Sequence, residues 1–252
     1  MVLPHLRRLV VPATLALLLC AGALPAAAED ALTPAQKAAV EQAIRDYLKA
    51  HPEAVLDALK AAQQKSEAAA AEEARHVIAD HHAELFDNPD DLVAGDPKGD
   101  ATLVEFFDYR CPYCKQIEPT LDALLQEDKK LRIVYKEFPI LGEASVYAAR
   151  AALAAKKQGR YAEFHRMMMA TKGDITSEVV LKVASAAGLD LGRLKSDMAS
   201  HDIDRVIANN LTLANLLDIQ GTPGFVIGDV VIPGAVDITR LRADIAKARK
   251  AD

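Results

Sequence analysis

Apolar residues recur at helical spacing in the part of the chain that follows residue 30. From Thr33 to Leu85 there is no glycine, and alanine, glutamate, glutamine and lysine predominate, a composition that favours helix. Pro34 and Pro52 stand where the first turn of a helix tolerates a missing N–H group. The pattern predicts one helix that ends at about Ala50 and a second that ends at about Leu85.

Both predicted helices carry an apolar stripe along one face. The stripe residues are Val40, Ile44, Tyr47 and Leu48 in the first helix, and Val55, Leu56 and Leu59 in the second. A second helix of about 34 residues would be about 51 Å long at 1.5 Å per residue, too long to pack throughout on one small domain. Residues 29–90 are therefore predicted to form an extended arm whose stripes associate with copies of the chain. An alanine-rich helix folded back on the core is the alternative.

From residue 91 onwards the pattern is that of a compact domain, residues 91–252. A turn-rich connector leads into residues 102–109, whose near-continuous apolar character is typical of a strand buried on both faces. A helix is predicted from Cys114 to Gln126 and a second strand from Leu131 to Ile140. Strand, helix and strand in this order predict a parallel unit.

The rest of the domain shows a long helical block and then a hairpin. Residues 143–217 contain only helical signals, broken at glycines, and predict an inserted bundle of four or five helices. Residues 225–227 and 230–232 are short apolar runs joined by Gly228 and Asp229, a strong hairpin signal. A helix over residues 237–250 is predicted to close the chain.

The first 28 residues have the layout of a secretory signal. Two arginines precede an apolar segment from Leu9 to Leu24, and three alanines ending at Ala28 provide a cleavage site. Cleavage there would remove Cys20. A lipoprotein anchor at Cys20 is disfavoured because Leu19 stands where a small side chain is expected, and the apolar run is short for a membrane span. The sequence therefore predicts an exported protein without a membrane anchor.

Charge narrows the choice of partners. The formal net charge of −6 becomes −8 when Arg7 and Arg8 leave with the signal. This balance argues against nucleic acid or an anionic membrane surface as partner and favours proteins. Export also places the remaining cysteines where disulfides persist, so a reduced thiol would need electrons from outside the chain.

Those remaining cysteines are Cys111 and Cys114, in the motif Cys111-Pro112-Tyr113-Cys114. The motif lies between a buried strand and the start of a helix, where unpaired N–H groups and the helix dipole favour a thiolate. Cys111 is therefore predicted to be the nucleophile that forms a mixed disulfide. Cys114, one turn further on, is predicted to be more buried and to resolve it.

Other interpretations of the motif are weaker. A zinc site needs four ligands, and the sequence has no second cysteine pair to supply them. Covalent haem attachment needs a histidine directly after the second cysteine, where Lys115 stands. A purely structural disulfide would stabilise the fold only weakly, because it would close a loop of two residues. The histidines at 76, 81 and 82 are interpreted as surface residues, and the methionines at 167–169 as core packing with Phe164. No metal site and no cofactor beyond a Cys111–Cys114 disulfide is predicted.

Two segments carry a family resemblance. Phe106 to Lys115, with its two cysteines, and Gly221 to Phe225, with Thr222-Pro223, resemble the DsbA-like thiol–disulfide oxidoreductases of the bacterial periplasm. With the N-terminal arm, the chain is also similar to the ScsC (suppressor of copper sensitivity) proteins and their Com1-like relatives. The resemblance implies an α/β thioredoxin fold with an inserted helical domain.

The resemblance also implies roles for residues outside the motif. Thr222-Pro223 would be a cis peptide facing the cysteines, with the Thr222 backbone binding an extended substrate; an ordinary trans turn is the alternative. Glu105 would be a buried acid that relays protons to Cys114. Lys136 on the neighbouring strand is a candidate partner for Glu105, provided that it does not face solvent.

The functional hypotheses differ in the direction of electron flow. An oligomer, such as a trimer, would be a disulfide isomerase or reductase acting on cysteine-containing exported proteins and kept reduced by a membrane donor of the ScsB or DsbD type. A monomer would be a DsbA-type oxidase that passes electrons to a DsbB-like partner. A third hypothesis is a Cu(I)-binding copper-tolerance protein that uses the same two thiolates.

Overall fold

The computed structural model describes residues 32–250. The predicted secretory signal, residues 1–28, lies outside the described residues and stays a prediction. The chain divides into two compact units, of which the first ends at Lys60 and the second begins at Ala61. None of the helices in residues 32–250 is long and apolar enough to cross a membrane.

Helices form the N-terminal part of the described chain, as predicted. Helix α1 spans Pro34–Ala50 and begins at Thr33, whose hydroxyl accepts a hydrogen bond from the Gln36 N–H at 3.3 Å while the Gln36 side chain accepts from the Thr33 N–H at 2.9 Å. Helix α2 spans Glu53–Asp80. No residue of α1 is buried, so its apolar stripe is exposed to solvent.

The second predicted helix ends earlier than the sequence indicated. The helix breaks at His81, and a short helix α3 follows over His82–Phe86. Leu85 and Phe86 are buried in the core of the second unit. Burial of these two side chains, a long-range effect, explains why the helical pattern does not continue as one element to Leu85.

The second unit contains a five-stranded mixed sheet with the order β1-β3-β2-β4-β5. Only β2 and β3 are parallel, and helix α4 connects them; the other neighbours are antiparallel. The elements are β1 Leu92–Gly95, β2 Ala101–Phe107, α4 Pro112–Glu127, β3 Leu131–Glu137, β4 Gly224–Ile227 and β5 Val230–Pro233.

Strand β1 corrects the expectation of a simple connector before residue 101. It pairs with the edge of β3, and Gly95 ends it with a φ of +81°. A side chain at Gly95 would bring a Cβ within 2.2 Å of the Leu131 carbonyl oxygen. Four residues are too few to show the alternation by which a strand is recognised, so pairing with β3 defines this one.

The inserted helical block has the predicted extent and contains five helices. They are α5 Glu143–Lys156, α6 Tyr161–Ala170, α7 Ser177–Ala186, α8 Leu191–Met198 and α9 His201–Leu216. The closing helix, α10, spans Ile238–Ala248. The fold is therefore the predicted α/β thioredoxin type with a helical insertion.

Strand β2 is buried on both sides, as its apolar run predicted. Leu103 and Phe107 belong to one core, together with residues of α4 and the insertion. Val104 and Phe106 belong to the second core, which contains Leu85 and the end of α9. This alternation assigns odd-numbered residues of β2 to the face that carries α4, and it decides where Glu105 points.

Candidate active site

Cys111 is the N-cap residue of α4. Its backbone is extended, with φ −71° and ψ 119°, and the Cys114 N–H donates to its sulfur at 3.4 Å. Cys111 therefore lies where the first N–H groups of a helix have no intrahelical partner. Pro112 occupies the first turn, where its missing N–H group leaves no bond unmade.

The turn that carries Cys111 is held by Asp108. This buried carboxylate accepts hydrogen bonds from the Arg110 N–H at 2.7 Å, the Ser145 hydroxyl at 2.8 Å and the Leu141 N–H at 3.0 Å. The three bonds join the turn to the loop after β3 and to α5. The position of the nucleophile therefore depends on three separate segments of the fold.

The two thiols are free, and both side chains are buried; Cys114 is completely inaccessible to solvent. The pKa of Cys111 is lowered to about 6, mainly because the Cys114 thiol hydrogen-bonds to its sulfur, with a further contribution from the Thr222 side chain. The pKa of Cys114 is raised, by the same bond to Cys111, by burial and by the charge of Glu105. At neutral pH the pair is therefore a Cys111 thiolate beside a Cys114 thiol.

The Thr222-Pro223 peptide is cis and faces Cys111, as the resemblance implied. The Cys111 sulfur lies 3.2 Å from the Thr222 carbonyl oxygen, and the Gly234 N–H donates to the Pro223 carbonyl at 2.9 Å. The bond to Gly234 connects this loop to the end of β5. Binding of substrate at Thr222 stays a prediction.

Glu105 lies on the α4 side of β2 and is completely buried. Neither carboxyl oxygen has a hydrogen-bond partner within residues 32–250. Burial raises the pKa of Glu105 well above its usual value, and the charges of Glu118 and Cys111 raise it further. An acid of this kind stays protonated at pH values where ordinary carboxyls are ionised, as proton relay requires.

The predicted pairing of Lys136 with Glu105 is wrong, although Lys136 does not face solvent. In the parallel ladder Glu105 pairs with Tyr135 and Phe106 with Lys136, so the lysine points to the opposite face of the sheet. There the Lys136 ammonium group, itself completely buried, donates to the Asp91 carboxylate and to the Glu84 carbonyl oxygen. Lys136 therefore fastens α3 and the segment before β1 to the sheet, away from the cysteines.

Comparison with known proteins agrees with this geometry. The sequence pattern of the DSBA-like thioredoxin domain matches residues 102–246. The chain belongs to this family. A second pattern, that of the copper resistance protein ScsC N-terminal domain, matches residues 36–69, which lie in α1 and α2 of this DSBA-like protein.

Individual relatives resemble either the catalytic domain or nearly the whole chain. A thioredoxin-like oxidoreductase from Silicibacter pomeroyi DSS-3 is 44% identical and covers 68% of this chain and 98% of its own, with a TM-score of 0.66. Proteus mirabilis ScsC in a transitional conformation is 29% identical and covers 88% of this chain and 100% of its own, with a TM-score of 0.64.

A different class of protein carries a similar segment. The Na(+)/H(+) antiporter NhaA 3 of Salinispora tropica is 32% identical over 164 residues, which are 64% of this chain but 25% of the antiporter. This chain therefore spans about a quarter of the length of such relatives. The shared segment corresponds in size to a DSBA-like domain rather than to the whole transporter.

Sequence reasoning missed a group of polar residues next to the site. Glu118 lies one helical turn after Cys114, and its side chain is only 16% exposed. His165 of α6 is buried between Glu118, Tyr109 and the ring of Tyr135. The four-residue spacing from Cys114 was the available signal for Glu118. Nothing local marked His165.

The remaining candidates lie where the sequence placed them, except that the His81 side chain is only 32% exposed and Met167 is only partly buried. Met168 and Met169 are buried with Phe164 in the core of the second unit, as expected for packing residues. The side chains of His76 and His82 are exposed. Within the described part of the chain, no three His, Cys, Asp or Glu side chains are grouped so that they could hold a metal ion. The absence of a cofactor stays a prediction.

Proposed function

We propose that this protein is a periplasmic thiol–disulfide oxidoreductase that reduces or isomerises disulfides in exported, cysteine-containing proteins. The observation that supports this function most directly is the pairing of unequal thiols. Cys111, with a pKa of about 6, faces the cis Thr222-Pro223 peptide, while Cys114 beside it has a raised pKa. A low-pKa nucleophile and a buried resolving thiol are the two parts that disulfide exchange needs.

The reaction starts at Cys111. Its thiolate attacks one sulfur of a substrate disulfide, the substrate S–S bond breaks, and the other substrate sulfur leaves as a thiolate. Isomerisation follows when a substrate thiolate attacks the mixed disulfide and restores the Cys111 thiolate. Net reduction follows when Cys114 loses its proton and attacks the Cys111 sulfur, which releases the substrate as a thiolate and leaves a Cys111–Cys114 disulfide.

Substrate would bind beside the cis peptide. An extended segment adding to the backbone at Thr222 would bring its disulfide next to the Cys111 sulfur. Tyr113, 59% exposed within the motif, offers an apolar surface next to the same sulfur. Main-chain recognition of this kind suits an enzyme that acts on many unfolded sequences.

The preference for an isomerase or reductase rests on the arm. The stripe side chains of α1 are 41–57% exposed, and Val55, Leu56 and Leu59 are more than half exposed. Isolated helices gain their stability by covering such stripes, so we propose that copies of the chain associate through them, as a trimer. Several catalytic domains in one assembly suit repeated exchange within one substrate. A membrane donor of the ScsB or DsbD type would return the site to the reduced form.

A matched pair of leucine variants tests the arm. Leu48 in the stripe and Leu211 on α9 are both exposed helical leucines, at 41% and 38%. Light scattering should give an oligomer for the wild type and for Leu211→Lys, and a monomer for Leu48→Lys. Loss of scrambled-disulfide refolding in Leu48→Lys, with retained reduction of a simple disulfide, supports the isomerase. A monomeric wild type contradicts it and favours the DsbA-type oxidase with a DsbB-like partner.

Thiol trapping in cells measures the direction of electron flow directly. A reduced Cys111–Cys114 pair at steady state supports the isomerase or reductase, and an oxidised pair supports the oxidase. Copper is a second candidate function, since residues 36–69 match a domain named for copper resistance and thiolates suit Cu(I). Tight Cu(I) binding that Cys111→Ser abolishes, in a wild type without disulfide exchange, would replace the proposed function.

A further inference from the structure

Three residues in and beside the active site bury polar atoms that have no hydrogen-bond partner within the described residues. They are Glu105, with both carboxyl oxygens, Glu118, with Oε2, and His165, with Nε2. Glu118 is the neighbouring charge with the largest effect on Glu105, and it lies 3.6 Å from the His165 ring nitrogen. Unsatisfied buried groups are rare and destabilising, so three in one place indicate a function.

The hydrogen bonds around Tyr109 determine which ring nitrogen of His165 carries a proton. The Tyr109 hydroxyl donates to Glu137 Oε1 at 3.1 Å, and the Tyr161 hydroxyl donates to the same oxygen at 2.7 Å. A hydroxyl has one proton, so Tyr109 is only an acceptor towards His165 Nδ1, 3.1 Å away. Nδ1 is therefore protonated, and in the neutral ring Nε2 carries a lone pair.

Nε2 is the ring nitrogen that lies near Glu118. The distance from Nε2 to Glu118 Oε1 is 3.6 Å, and two bare acceptors facing each other in a buried site repel. One proton shared between them removes the repulsion, either as a carboxylic acid beside neutral imidazole or as a carboxylate beside imidazolium. Both forms have no net charge, which keeps the cost of burial low.

The pair is also more accessible to solvent than the buried acid. Glu105 is completely inaccessible and the His165 side chain is 4% exposed, whereas the Glu118 side chain is 16% exposed. Of these three side chains, that of Glu118 is therefore the one most accessible to water. The ionisable groups that face His165 are Glu118 and Asp122 from α4, Tyr109 from the turn after β2 and Tyr135 from β3, with Arg166 next to it on α6.

We propose that His165 and Glu118 are positioning residues that hold one proton and pass it between Glu105 and solvent while Cys114 resolves the mixed disulfide. This inference rests on the proposed function. In the step, Cys114–SH attacks the Cys111 sulfur, the Cys111–Cys114 bond forms, and the bond from Cys111 to the substrate sulfur breaks. The substrate leaves as a thiolate. Glu105, which is protonated, passes its proton to the pair as it takes the Cys114 proton, and Glu118 releases a proton to water.

A chromogenic disulfide separates the two chemical steps. Reduced protein is mixed with dithiobis(nitrobenzoate) in a stopped-flow instrument, and the release of coloured nitrothiobenzoate is followed. The first release reports attack by Cys111, and the second reports resolution by Cys114. His165→Asn keeps a donor towards Tyr109 but removes Nε2, and Glu118→Gln keeps the shape but cannot carry the proton. His201→Asn, at an exposed histidine, is the matched control.

At neutral pH we expect the second release to slow about tenfold in His165→Asn and in Glu118→Gln, because a proton-transfer group is lost. The first release should be unchanged, and the double variant should be no slower than either single variant. The second release should approach the wild-type rate as pH rises, because hydroxide then takes the proton. His201→Asn should behave as the wild type at every pH.

The opposite results overturn the inference. They are a second release that stays at the wild-type rate, a slowing that is the same at every pH, or effects that multiply in the double variant. If His165→Asn does not fold, Glu118→Gln decides alone by the same criteria. A wild type that never shows the second release overturns the proposed function instead, because Cys114 then does not resolve at all.

Discussion

Replacing Glu105 with leucine should make the protein more stable at neutral and alkaline pH, although it removes a group placed in the active site. Glu105 is completely buried, and neither oxygen has a hydrogen-bond partner in residues 32–250. An unsatisfied buried polar group costs about 1–3 kcal/mol even when neutral, and leucine fills a similar volume without polar atoms. We therefore expect a gain of roughly 2 kcal/mol at low pH.

The stability that Glu105→Leu gains over the wild type should grow as pH rises. The direction of this change follows from proton linkage. Burial raises the pKa of Glu105 well above the usual glutamate value of 4.5, so the folded protein binds this proton more tightly than the unfolded chain. Above about pH 4.5 the unfolded chain releases the proton first, and wild-type stability falls as pH rises until the folded-state pKa is passed. Glu105→Leu has no such proton to lose, so its free energy of unfolding does not show this fall. The difference in unfolding free energy between the two proteins therefore widens over that pH range.

Denaturant and thermal unfolding of the reduced proteins at about pH 5 and about pH 8 measure both effects. The midpoint temperature of Glu105→Leu should exceed that of the wild type by roughly 4–8 °C at the lower pH, since about 1 kcal/mol shifts a domain of this size by 2–4 °C. Glu105→Gln should gain less, and Glu73→Leu, at an exposed acid of α2, should show neither effect. A Glu105→Leu protein that is less stable than the wild type at the higher pH would refute the reasoning.

Three further predictions concern the nucleophile, the ion pair and the sheet edge. Thr222→Val should raise the midpoint of Cys111 thiolate absorbance from about pH 6, because it removes the Thr222 side-chain hydrogen bond; an unchanged midpoint contradicts that cause. Lys136→Met should lower the free energy of unfolding by about 3–5 kcal/mol, because it leaves the buried Asp91 carboxylate without its partner. In denaturant titrations the double variant Lys136→Met/Asp91→Leu should recover most of the lost stability. Gly95→Ala should destabilise the reduced protein by at least about 1 kcal/mol in the same titrations, because φ is +81° and the new Cβ would collide with the Leu131 carbonyl. The control Gly173→Ala, also at positive φ but in open space, should lose less stability.

Several features of the fold were predictable because the responsible interactions are local. The capping residues and helical spacing predicted both ends of α1. The apolar run from residue 102 predicted a strand buried on both faces, and the helical signals over residues 143–217 predicted the insertion. Cys111 and Cys114 were identified as a redox pair from their spacing and from the strand and helix around them.

Other features depend on which strands pair and in which register. Glu105 and Lys136 are on neighbouring strands, as the sequence indicated, but their register places them on opposite faces of the sheet. The same long-range packing breaks the second helix at His81 and creates β1 from a segment that resembles a loop. Periodicity within one strand does not contain this information, because a shift of one residue reverses every side chain.

The amino-acid sequence by itself determined that this chain has N-terminal helices with apolar stripes and a thioredoxin-type domain with one pair of unequal thiols. Only the tertiary structure decided what surrounds those thiols. His165 reaches Tyr109 across 56 residues and lies beside Glu118, and Glu105 is left without a partner. The physical reason is that helix spacing and capping act over a few residues, whereas burial and proton sharing depend on groups that meet only when the sheet and the insertion pack together.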